Sequence, residues 1–287
     1  MRYGIVCNWV LGTDPTGSDV IALARRAEAL GFSSFVASDH VVMPTCFDAS
    51  RYPAGAGGFR AGAPWYDPFV LLAGVAASTK RIAIGTGVAV VPYRPPVQQA
   101  QAIATLDFIS GGRFWYGAGL GWMQEEFEAL GTPFKERAPR TREYIHLMKL
   151  LWSADESPYH GQFVDFPGGR VHPVPVQKPH PPIIIGGEGL PAFKRIVEYG
   201  NGFQFNFKSA EQFALILEEL GPMMEAAGRR VGELIMQLGG TTDVVRQHRQ
   251  EIAALQRLGV QEIVMTSKCG SVAEGFAELE QLAREFL

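Results

Sequence analysis

Cysteine is scarce. Cys7, Cys46 and Cys269 are the only three in 287 residues, and no two form a CxxC pair. A disulfide scaffold and a cysteine zinc site are thereby excluded, and a reducing compartment is expected. Charge is sparse as well: charged residues make up 19% of the chain, the net charge is -3, and no run of Lys and Arg stands out. Nothing in that balance argues for nucleic acid. The N-terminal MRYGIVCNWV is too short an apolar run for a signal peptide or a membrane span, so a cytoplasmic protein without a membrane partner is expected. HxH, HExxH and carboxylates at metal-ligand spacing are missing, so no metal is expected. There is no GxSxG elbow for a serine nucleophile.

What is present is a rhythm of short apolar strand, loop and amphipathic helix. Strands are expected at Arg2–Trp9, Phe32–Ala37, Ile82–Val91, Arg113–Tyr116, Pro182–Ile185, Gly202–Asn206, Glu233–Leu238 and Gln261–Thr266. Helices follow them, including Asp67–Thr79 with Asp67 before Pro68 as its cap, Arg140–Trp152, and Val244–Leu258. Gly31, Gly112, Gly200 and Gly259 stand where helices end, and each is expected to supply a left-handed C-cap. Eight such strand–helix pairs in one uninterrupted domain, residues 1–287, predict an α/β fold, a (β/α)8 TIM barrel with an insertion at about residues 153–180. An open doubly wound sheet is the rival, disfavoured because no strand leads into a GxGxxG turn followed by an acidic strand end.

In such a barrel the active site lies at the C-terminal ends of the strands. Read there, the chain offers mostly glycine, aromatic and hydroxyl residues. The one adjacent acid and histidine are Asp39-His40, which could equally form a cap and a loop hydrogen bond. Gly117-Ala-Gly119-Leu-Gly121 could bring a ligand close to the backbone or simply turn the chain. Gly186-Gly187-Glu188-Gly189 follows a strand and precedes a helix, a setting for an anion, although Glu188 opposes a phosphate unless it points away. Trp9, Tyr66, Tyr93, Trp122 and Phe203 are pocket wall or core, and Lys208 by itself reads as a surface lysine. Much backbone with few acids and bases suits an enzyme whose hard chemistry is carried by an organic cofactor.

Several of these stretches are familiar together. SDHVVMP at Ser38–Pro44, GTGVAVVPYRPP at Gly85–Pro96, LDFISGGRFWYGAGLGWMQEEFEALG at Leu106–Gly131, PHPPIIIGGEG at Pro179–Gly189 and YGNGF at Tyr199–Phe203 resemble the bacterial luciferase-like superfamily, and within it the coenzyme F420-dependent oxidoreductases. The resemblance runs from Tyr3 to about Phe205. It implies a β/α barrel whose strand ends carry the cofactor ring, and a non-proline cis peptide at Gly87-Val88 behind that ring. Asp39 would touch the ring and His40 would stand beside its reactive carbon. Gly119 and Gly121 would let the ring pass close to the chain, with Trp122 beside it. Gly186, Gly187 and Gly189 would hold a phosphate. Trp9, Tyr66, Tyr93 and Lys208 would face the substrate.

One position departs from the pattern. The sugar-phosphate dehydrogenase of the family has a catalytic glutamate directly after the glycine run, where this chain has Trp122, and an indole transfers no proton at neutral pH. The resemblance therefore implies F420-dependent hydride transfer with a small, mostly hydrophobic organic substrate, assisted by His40. An FMN-dependent monooxygenase on the same fold and a non-catalytic cofactor-binding barrel are the alternatives. A homodimer is expected, because dimers are common among members.

Overall fold

The computed structural model describes residues 1–8, 10, 12, 14–44 and 64–287. Trp9 and residues 45–63 of the glycine-rich stretch lie outside them. In chain order the barrel half contains β1 (Arg2–Val6), α1 (Gly17–Leu30), β2 (Ser34–Ala37), α2 (Pro68–Ser78), β3 (Ala83–Thr86), β4 (Ala89–Val90), α3 (Pro96–Ser110), β5 (Phe114–Gly119), α4 (Gln124–Ala129) and α5 (Arg137–Trp152). The excursion carries a hairpin, β6 (Tyr159–His160) and β7 (Asp165–Phe166). Then come β8 (Ile183–Gly186), α6 (Leu190–Tyr199), β9 (Gly202–Asn206), α7 (Ala210–Ala226), β10 (Ile235–Thr241), α8 (Thr242–Gln247), α9 (Ile252–Arg257), β11 (Glu262–Thr266) and α10 (Val272–Phe286). The parallel strands run β3-β2-β1-β11-β10-β9-β8-β5, and β3 pairs again with β5, which closes a barrel of eight strands. The chain is therefore an α/β protein of the (β/α)8 class.

The local logic is visible at the helix ends. Asp67 caps α2 by accepting hydrogen bonds from the N–H groups of Phe69 and Val70 at 2.9 and 3.0 Å. Gly31 ends α1 in the left-handed region at φ 98°, and α3 ends the same way one residue earlier than expected, at Gly111 (φ 67°) rather than Gly112. Gly200 does not follow that rule. It ends α6 at φ -79°, because side chains satisfy the last carbonyls instead. Arg229 donates to the carbonyls of Ile196, Val197 and Gly200, and the Lys149 ammonium to that of Tyr199 at 2.9 Å. Glycine is still needed there for space, since a Cβ would sit 2.8 Å from Ile185 Cγ1. The expected single helix Val244–Leu258 is instead α8 and α9, separated by a 3₁₀ turn at Arg249–Glu251.

The expected strand Ile82–Val91 is also interrupted. It divides into β3 and β4 at a cis peptide between Gly87 and Val88. Inside the barrel, Trp115 from β5 packs with Val6, Val36, Ile184 and Val264. Gly85 is directly opposite Trp115 in register, and a Cβ on it would lie 2.0 Å from the indole. The strand glycine is thus explained by its neighbour: no side chain fits beside the ring that fills the barrel.

Candidate functional site

Above this plug, the strand ends surround a cavity of about 660 Å³. A second groove of about 690 Å³ lies on the outside between α1 and α10 and includes none of the strand ends. The strand-end cavity has two unlike sides. One is aromatic and basic: His40, Trp65, Tyr93 and Trp122, with Val88 and Val90 beneath. The other is polar and open-backboned: Gly186, Gly187, Arg195, Gln204, Asn206, Gly239, Gly240 and Thr241.

His40 follows β2 and stands between two indoles, edge-on to Trp65 at 4.4 Å and to Trp122 at 5.7 Å between ring centres. Its carboxylate partner is not the adjacent Asp39. It is Glu126, whose Oε2 lies 2.7 Å from His40 Nδ1. Glu126 comes from the first turn of α4 and its side chain is fully buried. It also accepts hydrogen bonds from Tyr93 O–H at 2.9 Å and from the N–H groups of Val41 and Val42 at 2.6 and 3.2 Å. Burial alone would raise the pKa of this carboxyl. The bond and charge of His40, the Val41 N–H and the Tyr93 O–H outweigh burial and hold it below the ordinary glutamate range. Burial first, and then the Glu126 charge, pushes the Tyr93 phenol well above its usual value, so it stays a donor.

Asp39 lines the cavity, but both its oxygens are engaged. Val90 N–H donates to Oδ2 at 2.9 Å, and the Arg94 guanidinium grips Oδ2 at 2.6 Å and Oδ1 at 2.9 Å. Arg94 also reaches Asp67 at 2.9 Å. Burial works against the Arg94 charge, but the two aspartates more than offset it and raise its pKa. Asp39 is therefore an organiser of the cavity wall, tied to the cap of α2, rather than a free carboxylate.

The remaining expectations divide. Gly87, Val88, Gly119, Gly121, Trp122, Gly186 and Gly187 all line the cavity. The space beside the Cα of Gly119 and of Gly121 is also used by the protein itself. A Cβ on Gly119 would meet Val88 Cγ2 at 2.5 Å, and one on Gly121 would meet Val90 Cγ1 at 2.6 Å and Phe127 at 2.7 Å. These glycines accommodate the protein's own valines. Gly189 is the N-cap of α6, at φ 75°, and is not among the lining residues. Glu188 points away from the loop: it accepts from Asn206 N–H at 3.0 Å and pairs with Lys208 at 2.9 Å. Lys208 is consequently a partner of Glu188 and does not line the cavity. Tyr93 lines it, whereas Tyr66 packs on the core and its neighbour Trp65 takes the cavity position. Trp9 lies outside the described residues.

Arg195, in the cavity wall, and Glu126, on His40, are charged side chains that no spacing in the sequence singles out. Arg195 reaches back along α6 until its Nη2 is 3.5 Å from the place a Cβ on Gly187 would occupy. Burial depresses its pKa, and no carboxylate among the described residues comes within ion-pair reach. The end of α6 beside it has no side-chain cap, while its other end is held by Lys149 and Arg229. This corner can receive an anion. Among the described residues, no group of three or more His, Cys, Asp or Glu could hold a metal ion, and no helix is long and apolar enough to cross a membrane.

Known proteins share this architecture. An uncharacterised protein of Mycobacterium tuberculosis is 32% identical over 292 residues, covering 99% of this chain and 98% of that one. An FMNH2-dependent dimethylsulfone monooxygenase of Pseudomonas putida is 29% identical over 158 residues, 54% of this chain and 43% of its own. The structure of a coenzyme F420-dependent tetrahydromethanopterin reductase from Methanopyrus kandleri superposes with a TM-score of 0.72 at 19% identity, covering 99% of this chain and 97% of that one. The family described as luciferase-like monooxygenase matches residues 1–277, and the chain belongs to that family.

Proposed function

We propose that the strand-end cavity holds coenzyme F420 and that the protein is an oxidoreductase exchanging a hydride between this deazaflavin and a small, mostly hydrophobic organic molecule. The observation that carries the reading is the two-sided cavity, with one cation at its glycine end and a histidine between indoles at the other. The residues fit such a group. Gly186, Gly187 and Arg195 would hold its phosphate, Val88 and Val90 would back the ring, and His40 would stand over its edge. The deazaflavin supplies the hydride chemistry; the protein supplies binding, orientation and a proton. Arg195 is the one Lys or Arg among the described lining residues, and Lys208, outside the lining, is matched by Glu188. A single positive charge suits the singly charged phosphodiester of F420 better than the nearly doubly charged phosphomonoester of FMN. His40 would give or take the proton that accompanies hydride transfer, and the two indoles and Tyr93 would keep water from it.

FMN is the second reading, supported by the similarity to an FMNH2-dependent monooxygenase. Titration of the purified protein separates the two. Quenching of F420 fluorescence at micromolar concentration without a comparable response to FMN is the expected result. Tight FMN binding together with oxygen consumption in the presence of reduced flavin would sink the F420 reading. Arg195→Met should weaken F420 binding by roughly tenfold, the loss of one charged hydrogen-bond donor.

The reading extends to a homodimer. It is supported by the outward faces of α2 and α3, where Val70, Val97, Phe108 and Ile109 are exposed. Helix α2 has no charged residue, and the one on α3, Asp107, is buried, so a like face of a second copy is the complementary surface. Phe108→Arg should yield a monomer in sedimentation; an unchanged sedimentation coefficient would discard this face.

A further inference from the structure

We propose that Glu126 is the positioning residue that fixes the His40 proton on Nδ1, so that Nε2 is the atom through which His40 exchanges protons with the contents of the cavity. This rests on reading the cavity as the reaction site, but the hydrogen-bond logic is independent of any cofactor.

The two carboxylate oxygens of Glu126 have different neighbours. Oε1 receives the backbone N–H groups of Val41 and Val42 at 2.6 and 3.2 Å. A backbone N–H can only donate, so Oε1 must accept in every protonation state. Oε2 faces Tyr93 O–H at 2.9 Å and His40 Nδ1 at 2.7 Å. With three donors on it, the Val41 and Val42 N–H groups and the Tyr93 O–H, the carboxyl stays ionised and has no proton to give. The hydrogen at the Oε2–Nδ1 contact must then come from the imidazole, which leaves the lone pair of neutral His40 on Nε2. Among the described residues, the adjacent Asp39 is matched by Arg94, and the rings beside the imidazole are the uncharged indoles of Trp65 and Trp122.

The same geometry makes one isosteric substitution diagnostic. In Glu126→Gln the side chain has a single acceptor oxygen. The N–H groups of Val41 and Val42 require that oxygen at the Oε1 position. The amide NH2 then takes the Oε2 position and points a donor at His40 Nδ1. The imidazole can accept it only by moving its own proton to Nε2. A substitution that preserves shape should thus transfer the proton across the ring and turn the cavity-facing nitrogen from acceptor to donor. Glu126→Asp retains a carboxylate and should retain the original tautomer. Tyr93→Phe removes one donor from Oε2 and should leave the tautomer unchanged.

The test is a long-range proton–nitrogen NMR correlation on the full chain labelled with ¹⁵N-histidine. The His40 signals are assigned by their loss in His40→Gln, and spectra are taken at rising pH until the His40 nitrogen shifts stop changing, so that the neutral ring is read. Expected are a protonated Nδ1 and an unprotonated Nε2 in the wild type, Glu126→Asp and Tyr93→Phe, and the reverse in Glu126→Gln. A wild-type His40 carrying its proton on Nε2 would overturn the proposal, as would a Glu126→Gln spectrum with the wild-type pattern. If Glu126→Gln does not fold, the wild type and Tyr93→Phe still decide the matter. No cofactor is present in this experiment, so a failed F420 titration would remove the functional reading and leave the tautomer result standing.

Discussion

The two mouths of the barrel both contain buried carboxylates, and they hold them differently. At the C-terminal mouth, Asp39 is gripped by Arg94, and Glu126 is surrounded by His40, Tyr93 and two backbone N–H groups. At the N-terminal mouth, Glu262 is only 3% exposed and beside a cavity of about 220 Å³. Its partners are neutral and adjustable: Ser33 O–H and the Gln237 amide, the latter at 2.7 Å. Trp115 and its apolar neighbours lie between the two mouths. On the reading proposed above, fixed donors and full charges would define one arrangement of one site, as a reaction centre requires. Rotatable neutral groups tie neighbouring strands together and tolerate small changes. The C-terminal mouth should therefore be the brittle end and the N-terminal mouth the forgiving one.

The largest expected break is Arg94→Met. It leaves Asp39 buried without its cation and removes one partner of Asp67, and an uncompensated buried charge of this kind costs about 3–5 kcal/mol. Denaturant unfolding should show that loss; a cost under about 1 kcal/mol would end the contrast between the two mouths. Gly85→Ala comes next. Its new methyl would overlap the Trp115 indole, and overpacking of a rigid interior costs about 1–3 kcal/mol. Because the plug is shared, this variant should weaken the fold and cofactor binding together.

Glu126→Gln sharpens the comparison through pH. The folded protein holds the Glu126 carboxyl below its ordinary value. Its stabilisation is then fully present above about pH 4.3 and is lost as pH falls through the lower folded value. At neutral pH the variant should be less stable by about 1.5–3 kcal/mol, the scale of hydrogen bonds to a charged group. The gap to the wild type should close on acidification, as read from unfolding curves taken at falling pH. A gap that stays constant would mean that the charge of Glu126 is not what its surroundings hold.

These contrasts also mark what the sequence could convey. Local rules were legible: Asp67 before Pro68 caps a helix, Gly31 ends one, and glycine at Gly85 signals a close neighbour. The barrel followed from the repetition of such local units. The site was legible as a place, since strand ends and glycine loops are local features, but its pairings were not. Asp39 adjoins His40 in sequence, yet the carboxylate on His40 is Glu126, 86 positions away. No spacing rule links them; the barrel's curvature brings α4 over the end of β2. Glu125 and Glu126 stand just after the glycine run, and a strand-end histidine needing a partner could have directed attention to them. Trp65, not Tyr66, lines the cavity, which a loop of unknown path conceals in the sequence. Gly200 misled because Lys149 from α5 and Arg229 from the loop after α7 perform the capping.

The smallest expected effect is at the forgiving mouth. Glu262→Gln replaces a buried carboxylate by an amide of the same shape, and the NH2 group must find an acceptor. One is at hand. Gln237 donates its amide nitrogen to Glu262, and its own Oε1 has no hydrogen-bond partner. Turning that amide over would present the oxygen to the new NH2, and the Ser33 hydroxyl can rotate to donate to the remaining oxygen. Each bond lost has a replacement, so the net change in stability should stay within about 1 kcal/mol, with cofactor binding unchanged. A crystal structure of the variant should show the Gln237 amide reversed. A loss approaching that of Arg94→Met would mean that Glu262 is held by charge after all, and the two mouths would no longer differ in kind.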